Sequence, residues 1–218
     1  VATLGPASSS AEVIERLLRA GVDVVRLNFS HGKAQDHIDR ANLVRECARR
    51  VGKPIALMAD LQGPKIRVGK FVDSKVMLEN GAAFVLDGAM TEPGDINAVG
   101  LDYKELPRDV RPGDTLLLND GLIVLTVQEV RGEKVITRVK VGGELSNNKG
   151  INKQGGGLTA PALTAKDMDD IKTAMAFQCE YVAVSFPKSA TDMEMARQLA
   201  NVAGEATRHK PAMIAKIE

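Results

Sequence analysis

The sequence predicts an α/β protein in which parallel strands alternate with helices and a small all-β module interrupts the alternation. Three observations lead there. Near-continuous apolar runs such as Val22 to Phe29 follow amphipathic helices, the pattern of strands buried on both faces of a parallel sheet. From about Val68 to Gly157 the chain consists instead of short Val-rich or alternating runs separated by glycine-containing turns. Beyond that stretch, helix and strand alternate again.

Taken in order, Val1 to Leu4 reads as a strand ended by Gly5-Pro6. Ser9, with Glu12 three residues on, has the spacing of a capping box and opens a helix whose apolar face is Val13, Ile14, Leu17 and Leu18. After Gly21 comes the strand Val22 to Phe29. A second helix is predicted from Gln35 to Val51, with Ile38, Ala41, Val44 and Ala48 on one side and Gly52 as its stop, followed by a third strand, Pro54 to Asp60. The middle module places strands in Asp73 to Leu86, Asp114 to Asn119 and Leu122 to Lys140. Its turns are signalled by Asn80-Gly81, Pro93-Gly94, Pro112-Gly113, Asp120-Gly121 and Arg131-Gly132. Gly155-Gly156-Gly157 reads as a flexible return linker. A third helix then starts at Thr164 with Asp167 at the capping position, Tyr181 to Phe186 is a strand, Ser189 with Asp192 caps a fourth helix, and Ala212 to Ile217 is a fifth strand.

The chain has 218 residues, 44% of them hydrophobic, enough for one large domain or two smaller ones with a real core. Lys+Arg of 29 against Asp+Glu of 28 leaves a net charge of +1 and no global field for nucleic acid or a membrane surface, so any anion must be bound by a local cluster. The two cysteines, Cys47 and Cys179, have neither metal-ligand spacing nor a disulfide framework, and a reducing cytoplasm is the expected location. No apolar run is long enough to span a bilayer, and no basic-then-apolar leader is visible. Because the chain begins inside one apolar strand and stops directly after another, both ends read as cut.

Charge collects where the strands end. On a parallel sheet the C-terminal ends share one face. That face gathers Arg26, Asn28, Ser30 and His31 after the second strand, Asp60 with Lys65 and Arg67 after the third, and Lys216 with Glu218 after the fifth. Charges at the ends of apolar strands need partners or ligands. Cations and carboxylates converging on one mouth suit a polyanionic substrate with a divalent metal, and so phosphoryl transfer, whose catalysis is mostly positioning and neutralisation of charge. Other readings stay open beside this one. Arg26 also fits a structural arginine paired with Asp60, His31 a hydrogen-bonding turn residue, and Lys216 with Glu218 a surface ion-pair pattern. Lys166 to Asp170 reads as a solvated first helical turn favoured by the helix dipole.

Four separated segments carry a resemblance: Val25-Arg26-Leu27-Asn28-Phe29-Ser30-His31-Gly32, Asp60 to Arg67, Asn148-Lys149-Gly150-Ile151-Asn152 and Ile214-Ala215-Lys216-Ile217-Glu218. In this order and spacing the chain resembles the pyruvate kinase family over essentially its whole length. The resemblance implies an α/β fold of the TIM type, a (β/α)8 barrel of which the first five strands are present, with a small β-barrel lid inserted after strand 3. The implied domains are residues 1–67 as the first part of the barrel, 68–157 as the lid and 158–218 as the barrel's truncated continuation, with the family's C-terminal regulatory domain absent. The implied reaction moves a phosphoryl group from phosphoenolpyruvate to ADP, giving pyruvate and ATP. Arg26 would bind the substrate phosphate, Lys216 would stabilise the transferring group and the enolate oxygen, and Glu218 would hold Mg2+ (or Mn2+). Asn28, Ser30, His31, Arg67 and Lys149 would serve the nucleotide. A homotetramer in the cytoplasm, binding neither nucleic acid nor membrane, is implied for the full-length protein.

The chain departs from the family pattern at Leu61 and Lys65, where many members carry threonine and glutamate. In those members Asn28, Ser30 and Asp60 correspond to ligands of an activating K+. Here the Lys65 ammonium is expected to take that ion's electrostatic role, so that K+ is not required. Two further hypotheses stand beside the family reading: a Mg2+-dependent barrel lyase acting on pyruvate-like enolates, and a truncated non-catalytic binding module.

Overall fold

The computed structural model describes residues 1–217. From the N-terminus it contains β1 (Ala2–Thr3), α1 (Ala11–Arg19), β2 (Val24–Asn28), α2 (Ala34–Val51) and β3 (Ala56–Asp60). There follow β4 (Lys75–Leu78), β5 (Ala83–Asp87), β6 (Ala98–Gly100), α3 (Leu106–Asp109) and β7 (Thr115–Leu118). Next come β8 (Ile123–Arg131), β9 (Lys134–Val141), β10 (Gly143–Ser146) and β11 (Ile151–Lys153). The order closes with α4 (Ala165–Ala176), β12 (Tyr181–Val184), α5 (Ala190–Ala203) and β13 (Ala212–Ala215). The chain divides into two compact units, one formed by Val1–Pro64 with the segment from Pro161 onward, the other by Lys65–Ala160.

The first unit is a five-stranded sheet in the order β1-β2-β3-β12-β13, every pair parallel. It is the α/β half-barrel of a barrel domain. Alternation along the strands divides their side chains between two faces. Val25, Leu27, Leu57 and Ala59 join Ile14, Leu18, Ala41, Val44, Ile171 and Ala174 from the helices in one core. Arg26, Asn28 and Met58 alternate with them and remain partly exposed.

The helices start where short polar side chains satisfy their first N–H groups. Thr164 and Asp167 form a reciprocal capping box on α4, as do Ser189 and Asp192 on α5. The start of α1 differs from expectation: Ser10 is the cap, accepting from the Val13 N–H at 3.3 Å. Ser9 is drawn away by the 3-10 turn at Pro6–Ser8: the Gly5 carbonyl accepts the Ser8 N–H at 3.0 Å and also the Ser9 hydroxyl at 2.6 Å. Strand ends are also shorter than predicted. The Val22 N–H closes the end of α1 on the Leu17 carbonyl, so β2 begins at Val24. Phe186, at φ 57, turns the chain out of the sheet after β12.

The second unit has its own core, including Phe84, Leu86, Leu116, Leu118, Ile123 and Leu125. Six strands run in the order β11-β7-β8-β9-β5-β6, and β4 pairs with β10 in a separate two-stranded ladder. Isolated bridges from Arg67 to Gly150 and from Val68 to Leu101 link the two edges of the larger sheet. Sequence periodicity did not disclose α3, a single turn whose Leu106 is fully buried. Gly155, Gly156 and Gly157 have φ of 82, 74 and 88°, a left-handed backbone strained for other residues, so glycine is favoured there for its conformation.

Among the described residues, no helix is long and apolar enough to cross a membrane. Cys47 and Cys179 are free and fully buried, and burial pushes the Cys179 thiol up to about 12. A raised pKa leaves the unreactive thiol dominant at every lower pH. At pH 8 the Cys179 side chain is therefore overwhelmingly the thiol. Iodoacetamide at pH 8 is therefore expected to modify neither cysteine in the native protein and both in urea. Rapid native labelling, counted by mass spectrometry, would contradict the packing described.

Candidate active site

The site grows from the ends of three parallel strands. Asn28 on β2 lies in register with Asp60 on β3, and Asp60 with Ala183 on β12. Arg26 precedes Asn28 by two residues and so projects from the same face of β2. Lys216 directly follows β13 and is tied to the sheet by its N–H, which donates to the Val184 carbonyl at 3.1 Å.

These positions bring two cations onto one carboxylate. Arg26 Nε donates to Asp60 Oδ2 at 2.6 Å, and a terminal guanidinium nitrogen ion-pairs with the same oxygen. Lys216 Nζ stands 2.9 Å from Asp60 Oδ1. The Asp60 side chain is only 3% exposed, whereas those of Arg26 and Lys216 are 29% and 30% exposed. The carboxylate is thus the hidden anchor, and the two cations are partly exposed. A further guanidinium nitrogen of Arg26 donates to Thr3 Oγ1 at 3.1 Å, which adds β1 to the cluster.

The loop after β2 is held in place by its main chain. Asn28 Oδ1 accepts the Ser30 N–H at 3.0 Å, and the Asn28 carbonyl accepts the His31 N–H at 3.3 Å. Lys166 on α4 donates to the Phe29 carbonyl at 2.7 Å. His37 on α2 hydrogen-bonds the His31 carbonyl through Nε2 at 2.9 Å and stacks on Phe29 with ring centroids 4.0 Å apart. Desolvation lowers the His37 pKa, so its ring is neutral at neutral pH. His31 itself is exposed.

Of the sequence-predicted residues, Arg26, Asn28, Ser30, His31, Asp60 and Lys216 belong to the first unit, and Lys65, Arg67 and Lys149 to the second. Within the second unit, a guanidinium nitrogen of Arg67 donates to the Asn148 carbonyl at 3.0 Å, and the Val68 N–H donates to the Lys149 carbonyl at 2.9 Å. Arg67 and Lys149 are therefore close along paired backbone. The predicted metal ligand Glu218 lies outside the described residues. Among the described residues no group of three or more His, Cys, Asp or Glu side chains could hold a metal ion. Asp60 is already committed to two cations, so these residues alone do not make a divalent site.

One expectation is corrected. The Lys166 to Asp170 run is not a uniformly solvated turn: Asp167 is fully buried, and the Asp170 side chain is 14% exposed. Asp167 Oδ1 accepts the Gly63 N–H at 3.0 Å, while Lys166 reaches both Asp170 and the Phe29 carbonyl. Asp167 showed a local signal, its capping position, but its second partner is 104 residues away in the chain. Ser185 was equally inconspicuous, and its buried hydroxyl donates to the Leu61 carbonyl at 2.7 Å.

Replacing Asp60 with Asn removes the counter-charge from two cations held beside each other. Removing one member of a buried pair is costly, though the exposed sides of Arg26 and Lys216 let water offset part of the loss. Asp60→Asn is expected to lower stability by about 1–3 kcal/mol in urea denaturation. A variant as stable as the parent would show that the carboxylate does not hold this cluster together.

The family described as pyruvate kinase, barrel domain, matches residues 1–218. The chain is 51% identical over 219 residues to the pyruvate kinase of Haemophilus influenzae, covering 100% of this chain and 45% of that protein. It is 54% identical over 205 residues to pyruvate kinase II of Salmonella typhimurium, covering 94% of this chain and 43% of that protein. The chain thus spans somewhat less than half the length of these relatives. With its parallel half-barrel and its cations gathered at the strand ends, the chain belongs to the pyruvate kinase family.

Proposed function

We propose that the full-length protein transfers the phosphoryl group of phosphoenolpyruvate to ADP, giving pyruvate and ATP. The observation that carries this reading is the convergence of Arg26 and Lys216 on Asp60. Both cations are held in direction by one buried carboxylate, and each keeps part of its side chain exposed. A phosphate ester dianion is the complementary ligand, and a preformed donor set gains most where charge builds up during transfer.

In this reading Arg26 binds the substrate phosphate with guanidinium hydrogens not used by Asp60 and Thr3. Lys216 faces the transferring group and the enolate oxygen, with Asp60 keeping its ammonium in place. Mg2+ (or Mn2+), when bound, supplies charge neutralisation on the phosphoryl oxygens, and Glu218 would be this chain's ligand for it. Asn28, Ser30, His31, Arg67 and Lys149 serve the nucleotide. Residues 68–157 act as a lid that excludes water from the reacting group, between barrel segments 1–67 and 158–218. The protein works in the cytoplasm as a homotetramer.

K+ is not required in this protein. In relatives with glutamate at the position of Lys65, a monovalent ion would supply positive charge near Asn28, Ser30 and Asp60. Here lysine brings the charge covalently, and both Asp60 oxygens already face cations. A further cation would be repelled by those present.

Two measurements test the reading on the full-length protein. In a coupled assay with phosphoenolpyruvate, ADP and Mg2+, Lys216→Met is expected to lower kcat by about 100- to 1000-fold, the scale for losing one donor to transition-state charge. A variant with unimpaired turnover would remove Lys216 from the chemistry. In buffer free of K+ and Na+ the parent protein is expected to keep its rate, and turnover that collapses there and recovers with KCl would refute K+ independence.

A further inference from the structure

Asp167 accepts more than its helix cap requires. Its Oδ2 receives the Thr164 N–H at 2.8 Å and the Thr164 hydroxyl at 2.7 Å, which completes the capping box of α4. Its Oδ1 points elsewhere, to the Gly63 N–H at 3.0 Å, in a contact buried on both sides. A carboxylate that is fully buried, on a helix otherwise exposed over its first turn, is an expensive way to cap a helix.

Gly63 is fixed from its other side as well. It has φ +65, and a Cβ there would meet the Ser185 Cβ at 2.9 Å and the Ser185 carbonyl oxygen at 3.0 Å. The residue two before it, Leu61, is held through its carbonyl by the Ser185 hydroxyl and through its N–H by the Ala183 carbonyl. Pro64 has no N–H, so Gly63 carries the last main-chain donor of the first unit before the chain passes into the second at Lys65.

We propose that Asp167 is a positioning residue that locks the exit of the chain from the half-barrel, by holding the Gly63 amide, and so sets the hinge from which the lid moves. The inference rests on the reading of the second unit as a lid. A charge-assisted bond to a main-chain amide is stronger than a neutral one, and here it acts on a glycine that has no side chain to anchor it. The Lys166 bond to the Phe29 carbonyl gives the same helical turn a second grip, on the loop after β2. One turn of α4 therefore fixes the loops after two neighbouring strands.

Hydrogen exchange with residue-level fragmentation tests this on the full-length protein. In the parent, the Gly63 amide is expected to be protected. Asp167→Ala keeps the bond from the residue 167 N–H to Thr164 Oγ1, and it should speed Gly63 exchange by about 10- to 100-fold. Thr164→Ala weakens the cap but leaves the Gly63 contact, and it should speed exchange at Asp167 and Met168 while Gly63 stays within about twofold. In assays, Asp167→Ala should lower kcat by about 10-fold with little change in KM for phosphoenolpyruvate, since Arg26 and Lys216 do not depend on Gly63. Equal acceleration of Gly63 in both variants would reduce Asp167 to a helix cap and overturn the proposal. So would an unprotected Gly63 amide in the parent protein, a result that needs no variant to fold. A parent protein inactive toward phosphoenolpyruvate would overturn the proposed function instead, leaving the exchange result to stand.

Discussion

The Asp60 carboxylate is the constraint on which the first unit depends. A charged group at the end of an apolar strand is tolerated only when its charge is matched, and here the match comes from β2 and from the residue after β13. Both partners reach it only if the strands are parallel and in the observed register. Sliding one strand by a residue would turn Arg26 to the helix-covered face and leave a buried carboxylate with half its compensation. Sheet register and cation placement are therefore one energetic problem, and solving it brings two partly exposed cations to the same end of the sheet.

Around that centre, the loops are held by their backbone more than by their side chains. Phe29 and His31 present carbonyls to Lys166 and His37, and Leu61 and Gly63 present a carbonyl and an amide to Ser185 and Asp167. Such contacts remove freedom from the chain that carries Ser30 and His31, and the Asn28 side chain adds to them by accepting the Ser30 N–H. Desolvation works in the same direction. The neutral His37 ring packs flat on Phe29 and adds no competing charge beside the mouth.

Much of this was legible in the sequence because its cause is local. Apolar runs between helical periodicities gave the parallel strands, glycine pairs gave the turns of the second unit, and the Thr164 and Ser189 boxes set the starts of α4 and α5. Two of the misreadings were also local in origin. Ser9 and Ser10 are chemically alike as caps, and only the short turn at Pro6–Ser8 decides between them. The isolated turn α3 has too few residues to show a period.

The sequence by itself determined which residue types would meet at the strand ends, since parallel strands must deliver Arg26, Asp60 and Lys216 to one edge of the sheet. Only the tertiary structure decided how they meet. Asp60 takes one cation on each oxygen, and Asp167, a helix cap by its spacing, is turned inward onto a glycine 104 residues away. The physical reason is that periodicity and capping depend on neighbours within a few residues. A hydrogen bond between distant segments depends instead on how sheets and helices stack, and no local pattern records that.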